Sequence, residues 1–347
     1  MTQTRRQRIL TALDNGIPDR PPLSFDLKPD VELPNVKKAF EYFGAHDKKG
    51  LYSAAGIDGF SVWEWNAVMG RYTGTPKVTE NGITCDFWGN AYPGHFGLST
   101  CIDITALESH NWPQVKDFDF SFIQSQSEDI RKQDMVVAAG HVGLGYQMHN
   151  MLRGNEQSMY DLTEEKYMAC YMEHLTAFTL EYLEQMLKAG KGMIDVVRAD
   201  EDMGTMDRLI ISPAMWRKFY KPSWKKAVEL THHYGAKFWM HSCGYIWPLL
   251  NDFIEIGIDV WNPFPPYVKD NDHLRLKEFR KERLALDGGV SHLILVEETP
   301  SAVADETKRV LDIFAPDGGL LIGPSQVFTP DIPAENIIAM FETALKY

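Results

Sequence analysis

The sequence predicts a single α/β domain with the (β/α)8 TIM-barrel fold over residues 1–347. Three observations predict it: short apolar runs alternate with longer amphipathic segments, polar residues follow the apolar runs, and no glycine-rich dinucleotide fingerprint follows a strand. The alternation requires parallel strands joined by crossover helices. The missing fingerprint favours a closed barrel over a doubly wound open sheet. A length of 347 residues suits a barrel of roughly 250 residues with insertions.

The C-terminal half shows the alternation most clearly. Its predicted strands are Met193–Val197, Lys237–Met240, Asp259–Trp261, Leu284–Leu286 and Gly319–Ile322. Its predicted helices are Ser212–His233, Pro248–Ile256, His273–Arg283, Thr299–Phe314 and Ala334–Leu345. The first helix opens on Ser212-Pro213, a capping residue followed by proline at the first helical position, and the second stops at Gly257. We therefore predict five consecutive strand–helix units.

The N-terminal half is less regular. Pro21–Phe25, Gly59–Trp65 and Met135–Ala139 are predicted as strands. Between the last two, Thr73–Trp112 is rich in glycine, asparagine, proline and aromatic residues, which are typical of turns and irregular structure. We interpret residues 73–134 as an insertion that leaves the barrel, with a hairpin as one possible form, and covers one of its ends.

Composition limits the partners and the compartment. Thirty-five basic against 48 acidic side chains give a formal charge of −13, which disfavours nucleic acids and anionic membranes because both bind basic surfaces. The four cysteines include no C-x-x-C pair, as expected in a reducing cytoplasm. The N-terminus is amphipathic and no segment is apolar enough to span a bilayer. We expect a cytoplasmic protein that binds neither nucleic acid nor membrane.

Polar and reactive residues collect directly after the predicted strands. They are Asp26, Glu64, His141, Asp200, Glu201, His241, Cys243, Asn262, Asp287 and Gln326. In a barrel, the carboxyl ends of the strands lie on one face, where the active sites of this fold form. One such residue alone is more often a helix cap, but this many, with histidine, cysteine and carboxylates among them, indicate an active site.

His241-x-Cys243 is the sharpest pair in this set. Side chains at i and i+2 of a strand point the same way, and an imidazole with a thiolate forms half of a zinc site. The alternative is a buried structural cysteine beside a hydrogen-bonded histidine. Glu201 and Asp200, from the preceding unit, are candidates for a further ligand, whereas the neutral amide of Gln326 is a poor one. An open coordination position would make such a site catalytic.

Several tryptophans also lie on or near strand ends. They are Trp63, Trp65, Trp239, Trp247 and Trp261. They are candidates for the lining of an apolar, aromatic-binding pocket. Ordinary core packing is the alternative for each of them.

Seven segments form a recognisable set. They are Arg5–Leu13, Pro18–Pro22, His241–Gly244, Pro248–Leu250, Gly257–Pro263, Gly318–Ser325 and Pro330–Ile337. Together they resemble the uroporphyrinogen decarboxylase superfamily, and its corrinoid-dependent methyltransferase branch most closely, which includes coenzyme M methyltransferases and the methyltransferase components of O-demethylases. The resemblance covers nearly the whole chain and implies a (β/α)8 barrel. The true decarboxylases carry arginines after the first strand, where residues 24–30 here contain none, so decarboxylation of porphyrinogens is not expected.

The methyltransferase branch implies a zinc ion, held by a His-x-Cys pair and a later cysteine, and a cobalamin carried by a partner corrinoid protein. His241 and Cys243 match the first two ligands. Gln326 stands at the position of the later cysteine, a departure from the family pattern. Three outcomes follow from this departure: Glu201 supplies the missing ligand, the metal is held more weakly, or none is bound.

The leading hypothesis is a zinc-dependent methyltransferase that moves a methyl group between a small methylated substrate, such as an aryl methyl ether, and cobalamin on a corrinoid protein. The expected metal ligands are His241, Cys243 and Glu201. The expected catalytic residues are Asp26, His141, Asp200 and Glu201, and the expected substrate-binding residues are Trp65, Trp239, Asn262 and Gln326. The alternatives are a metal-assisted decarboxylase or lyase acting on a non-porphyrin acid, with Asp26 or Asp200 as acid or base, and a non-catalytic barrel that senses a ligand.

Overall fold

The computed structural model describes residues 2–24, 33–45, 56–59, 67–91, 94–140, 143–280 and 283–347. The α-helices within these ranges are α1 (Arg5–Leu13), α2 (Pro34–Tyr42), α3 (Ile104–Glu108), α4 (Ile123–Lys132), α5 (Tyr146–Arg153), α6 (Asn155–Asp161), α7 (Glu165–Ala189), α8 (Pro213–Phe219), α9 (Lys221–His233), α10 (Leu250–Ile256), α11 (His273–Arg280), α12 (His292–Glu297), α13 (Pro300–Phe314) and α14 (Ala334–Lys346). Across these ranges, every helix is too short or too polar to cross a lipid bilayer.

The strands form one parallel sheet and one short antiparallel pair. They are β1 (Ala67–Val68), β2 (Arg71–Tyr72), β3 (Phe118–Asp119), β4 (Ala138–Ala139), β5 (Val196–Asp200), β6 (Lys237–His241), β7 (Val260–Asn262), β8 (Ala285–Val290) and β9 (Leu320–Pro324). The parallel sheet has the order β1-β4-β5-β6-β7-β8-β9, and β2 pairs with β3. Neighbouring strands of the sheet are therefore consecutive along the chain, apart from the β2–β3 pair.

A parallel bridge between Leu23 and Ile322 adds one more strand position beside β9. With the seven strands of the sheet, the described residues supply the eight parallel positions of a (β/α)8 barrel, in chain order. The predicted fold class is confirmed. The predicted first strand is represented by Leu23, and residues 60–65 of the predicted strand Gly59–Trp65 lie outside the described residues.

A small apolar core fills the interior of the barrel. It contains Val196, Trp239, Val260, Ala285 and Leu321, from consecutive strands, together with side chains of α1. Arg6 of α1 pairs with Asp195, just before β5, and Asp14 pairs with Lys237 at the start of β6. Helix α1 therefore covers the amino ends of the strands, and the larger core lies between the sheet and the outer helices.

Some predicted boundaries in the C-terminal half are wrong. The predicted helix Ser212–His233 is two helices, α8 and α9, because Pro222 in the first turn of α9 has no N–H to continue the helix from α8. Strand β5 starts three residues later than Met193, after a turn in which Lys191 and Gly192 have positive φ angles. Strand β8 continues to Val290, beyond the predicted end at Leu286.

The chain between β1 and β4 contains the predicted insertion. Its β2–β3 pair is antiparallel, and two further antiparallel bridges join Val78 to Thr84 and Ala91 to His95. We call residues 71–134 the β1–β4 connection. Two buried side chains tie it to the helices that follow β4: Arg153 donates to the carbonyl oxygen of Leu98, and Tyr167 donates to that of Cys101. The predicted covering role of residues 73–134 stays a prediction.

Candidate metal centre

The carboxyl ends of β5, β6 and β7 bring three polar residues into one row. Asp200 lies opposite His241, and His241 lies opposite Asn262 in the parallel ladder. Just beyond this row, ligand atoms of Asp202, His241 and Cys243 lie within 4.8 Å of one another. We call these three residues the strand-end cluster. An imidazole, a thiol and a carboxylate are the donor types that zinc prefers.

Asn262 fixes the orientation of the His241 ring. The Nδ1 atom of His241 lies 2.8 Å from Oδ1 of Asn262. An amide oxygen can only accept a hydrogen bond, so Nδ1 carries a proton, and in the neutral ring Nε2 has the lone pair. Nε2 lies 3.7 Å from Oδ1 of Asp202, so the lone pair faces the other two members of the cluster. A second hydrogen bond of this kind accompanies most histidines that bind metals.

The Cys243 thiol and the Asp202 carboxylate face each other. Both the thiol and the backbone N–H of Cys243 donate to Oδ1 of Asp202, each over 3.1 Å. Burial, together with the charge of Asp202, raises the pKa of the Cys243 thiol to about 12, against a hydrogen bond from Gln326. Without a cation, the thiol therefore keeps its proton, whereas a bound cation reverses this balance and deprotonates a coordinating thiol. The donor set fits a metal ion.

Glu201, which we expected to be the third ligand, is directed elsewhere. It is completely buried, and its Oε1 atom accepts a hydrogen bond of 3.1 Å from the backbone N–H of Gln147 at the start of α5. Burial raises the pKa of Glu201 to about 8, against hydrogen bonds from the N–H groups of Gln147 and Tyr146. Asp202, rather than Glu201, accompanies His241 and Cys243. Asp202 is not among the site residues that the sequence predicts, because β5 ends at Asp200 and the alternation of side chains does not extend beyond the strand.

Asp200 and Trp239 belong to a polar chain inside the barrel. Nε of Arg198 donates to Oδ1 of Asp200 over 2.7 Å, and the guanidinium carbon lies 4.4 Å from the centre of the Trp239 ring. The indole N–H of Trp239 donates to Asp287 over 3.1 Å. Trp239 is only 1% exposed. It is thus part of the barrel interior, and Asp200 is held in an ion pair.

The other predicted site residues fall into two groups. Asp26, Trp63, Glu64, Trp65 and His141 lie outside the described residues. Of those inside, Gln326 hydrogen-bonds to the Cys243 thiol, and Asn262 contacts His241. Trp247 is half-buried beneath the guanidinium of Arg275, and Trp261 is fully buried, with its N–H donated to the carbonyl of Ser242. Their roles in substrate binding stay predictions.

A cavity of about 470 Å³ adjoins the strand ends. We call it the aromatic cavity. The residues that line it are Met69, Gly70, Tyr72, Phe87, Trp88, Phe118, Gly140, Gly143, Gln147, Met148, Met151, Phe178, Thr179, Tyr182 and Asp200. Its rings pack against one another, with centroids 4.9 Å apart for Trp88 and Phe178 and 5.1 Å apart for Phe87 and Phe118. The aromatic-rich segment 73–112 is the feature of the sequence that points to this cavity, although its composition alone does not predict a pocket.

Gln147 and Asp200 link the cavity to the strand-end cluster. Both line the cavity. The Oε1 atom of Gln147 accepts a hydrogen bond of 3.1 Å from the backbone N–H of Asp202, and Asp200 is the ladder partner of His241. A ligand in the cavity would therefore lie next to the residues that hold two members of the cluster.

Comparisons with known proteins agree with this architecture. The model of the family "Uroporphyrinogen decarboxylase (URO-D)" matches residues 148–347. Among solved structures, a methyltransferase from Methanosarcina mazei has a TM-score of 0.59 at 17% identity, over 99% of this chain and 98% of that one. Xylanase 10B from Thermotoga maritima has a TM-score of 0.46 at 13% identity, over 98% of each chain. No curated protein matches the chain by sequence. The M. mazei likeness shows a shared fold.

Proposed function

The chain belongs to the uroporphyrinogen decarboxylase family, and we propose that within this family it is a zinc-dependent methyltransferase. It moves a methyl group between a small methylated substrate, for which an aryl methyl ether is one candidate, and cobalamin carried by a corrinoid protein. The observation that carries this proposal is the strand-end cluster, where Asp202, His241 and Cys243 converge. The fold shared with a methyltransferase from Methanosarcina mazei supports it.

Asp202, His241 and Cys243 would hold the zinc through one oxygen, one nitrogen and one sulfur. Three protein ligands leave a coordination position open, as in catalytic zinc sites. Zinc bound there supplies Lewis-acid chemistry, which polarises the oxygen or sulfur that carries the methyl group.

The surrounding residues position the cluster. Oδ1 of Asn262 accepts a hydrogen bond from the Nδ1–H group of His241 and so leaves Nε2 available to the metal. Oε1 of Gln147 accepts a hydrogen bond from the backbone N–H of Asp202 and so holds the turn after β5 in place. Gln326 lies against the Cys243 thiol, where its amide can contact the substrate. The catalytic roles of Asp26, His141, Asp200 and Glu201 remain part of the proposal.

The test begins with the metal content of the purified protein. We expect about one zinc per chain in the wild type, and none in a His241→Ala/Cys243→Ala variant. Incubation with reduced cobalamin and a panel of methylated phenols, amines and thiols should then produce methylcobalamin, followed by its absorbance. A metal-free double variant with full demethylation activity would overturn the proposal. Release of carbon dioxide from an acid without cobalamin would favour the alternative decarboxylase.

A further inference from the structure

We infer that the aromatic cavity is the binding site for the body of the substrate, and that this body is an uncharged aromatic ring. The inference rests on the proposed function, because it assigns the non-reacting part of that reaction's substrate. It places recognition on residues of the β1–β4 connection and of helices α5 and α7, and not on Trp239, Trp247 or Trp261.

The walls of the cavity select for a flat apolar ligand. Six of the lining side chains are aromatic and three are methionines. Aromatic pairs attract each other beyond the gain from burial of their area, and methionine sulfur contacts ring edges favourably. A volume of about 470 Å³ lies within the range of roughly 300–1,000 Å³ that is common for small-molecule sites.

The charges around the cavity select against an ionised ring. Among the described residues that line it, Asp200 alone bears a formal charge, and Arg198 is its ion-pair partner over 2.7 Å. A ligand carboxylate would thus meet apolar walls and one anion, and burying it without a partner is costly. The cavity therefore fits a neutral methoxybenzene or methoxyphenol better than a methoxybenzoate.

The cavity also gives the ligand a direction. Asp200 and Gln147 line the cavity and connect it to the cluster, Asp200 as the ladder partner of His241 and Gln147 through its hydrogen bond with the backbone of Asp202. Aromatic rings and methionines form most of the remaining walls. A ring seated among them with its methoxy group toward Asp200 and Gln147 would present the methyl–oxygen bond to the strand-end cluster.

Binding can be measured without chemistry. Calorimetric titration of the full chain, before any metal or cobalamin is added, should show 4-methoxyphenol binding about tenfold or more tighter than 4-methoxybenzoate. Trp88→Phe should reduce the fluorescence change on binding, because Trp88 is the tryptophan among the described lining residues. No binding of 4-methoxyphenol, or equal binding of the benzoate, would overturn the inference.

Two methionines provide a matched pair of variants. Met151 lines the cavity, Met159 lies on α6 outside it, and both are 39% exposed. Met151→Lys places a cation at the cavity and should narrow the preference for methoxyphenol over methoxybenzoate by about tenfold, whereas Met159→Lys should leave it unchanged. Equal effects of the two variants would contradict a cavity site.

These outcomes separate the two proposals. Methoxyphenol binding without methyl transfer would overturn the proposed function and leave the cavity as a ligand site. Methyl transfer that is insensitive to Met151→Lys and indifferent to the charge of the ring would overturn the cavity inference and leave the methyltransferase in place.

Discussion

The strand-end cluster and the aromatic cavity are neighbours, yet they are built in opposite ways. His241 and its partner Asn262 stand in a parallel ladder whose register is fixed over β5, β6 and β7. Most of the cavity walls come from the β1–β4 connection and from helices α5 and α7, outside the parallel ladder of the barrel. Reacting groups need fixed distances, whereas recognition tolerates variation in surrounding segments. Under the proposed function, the barrel would hold the reacting groups, and the connection would set which substrate is recognised.

The largest expected effect follows from removal of the metal ligands. His241→Ala/Cys243→Ala should lower methyl transfer by about a thousandfold or more, because several kcal/mol of transition-state stabilisation depend on the metal. Calorimetric binding of 4-methoxyphenol should stay within about twofold of the wild type. Cys170→Ala, which removes a thiol from α7, is the control and should change neither. Loss of ligand binding in the double variant would show that the two regions are not separable.

The second largest effect is expected at Asp161, whose partner Arg153 ties the β1–β4 connection to α5. Buried Asp161 receives hydrogen bonds from Arg153, over 2.7 and 3.1 Å, and from His149, over 3.1 Å, and Arg153 also holds the carbonyl of Leu98. Asp161→Asn leaves a buried guanidinium without its counter-charge and should lower the free energy of unfolding by about 3–5 kcal/mol. Urea denaturation measures this loss. Zinc content per folded chain should not change.

Measurement of the free energy of unfolding at acidic pH provides a control for the ion pair between Asp161 and Arg153. Burial acts to raise the pKa of Asp161, but hydrogen bonds from His149, Arg153 and Gln157 outweigh it and lower the pKa from 3.8 to about 2. The carboxylate therefore contributes its full stabilisation above pH 4 or so, and loses it as the pH falls toward 2. The stability difference between wild type and Asp161→Asn should shrink over this window. A constant difference would mean that the ion pair is not its source.

A third prediction separates two neighbouring carboxylates. Asp202→Asn should weaken zinc binding by about tenfold to a hundredfold, because an amide replaces an anionic ligand. Glu201→Gln should change zinc affinity little, since Glu201 faces the N–H groups at the start of α5. Competition with a chromophoric chelator measures both. The reverse order would restore Glu201 as the ligand.

The smallest effect is expected at Asn262. Asn262→Leu removes the acceptor for the Nδ1 proton of His241 and should weaken zinc binding by about tenfold. Asn262→Asp keeps an acceptor and should restore most of the affinity. Nitrogen chemical shifts of His241 in the metal-free protein should report the Nδ1-protonated ring in the wild type and in Asn262→Asp, and a mixture of tautomers in Asn262→Leu. One tautomer in all three would assign the orientation of the ring to other contacts.

The two regions also differ in how far the sequence predicted them. His241, Cys243 and Asn262 were found because an apolar run followed by polar residues marks the end of a barrel strand. Asp202 was missed because the chain leaves the strand there, and the side that each residue faces depends on the turn. The five strands of the C-terminal half follow from periodicity, but the start of β5 does not, since it depends on the turn at Lys191 and Gly192.

The tryptophans show why the cavity could not be predicted. Trp239 and Trp261 lie in the middle of β6 and β7 and are buried, with their indole N–H groups accepted inside the protein by Asp287 and the carbonyl of Ser242. Trp88 and Phe178 lie 90 residues apart in the chain and meet only when the β1–β4 connection packs on α7. Periodicity reports which face of an element is apolar, but not which irregular segment will pack against it.

Helix α1 has a kinetic consequence. Helix α1 covers the amino ends of the strands. We therefore expect substrate and product to enter and leave at the carboxyl ends, where both the strand-end cluster and the aromatic cavity lie. If the methyl acceptor arrives on a protein that docks over these carboxyl ends, a small donor has to enter first and its demethylated product has to leave last. The order in which substrate and partner bind would then follow from the fold itself.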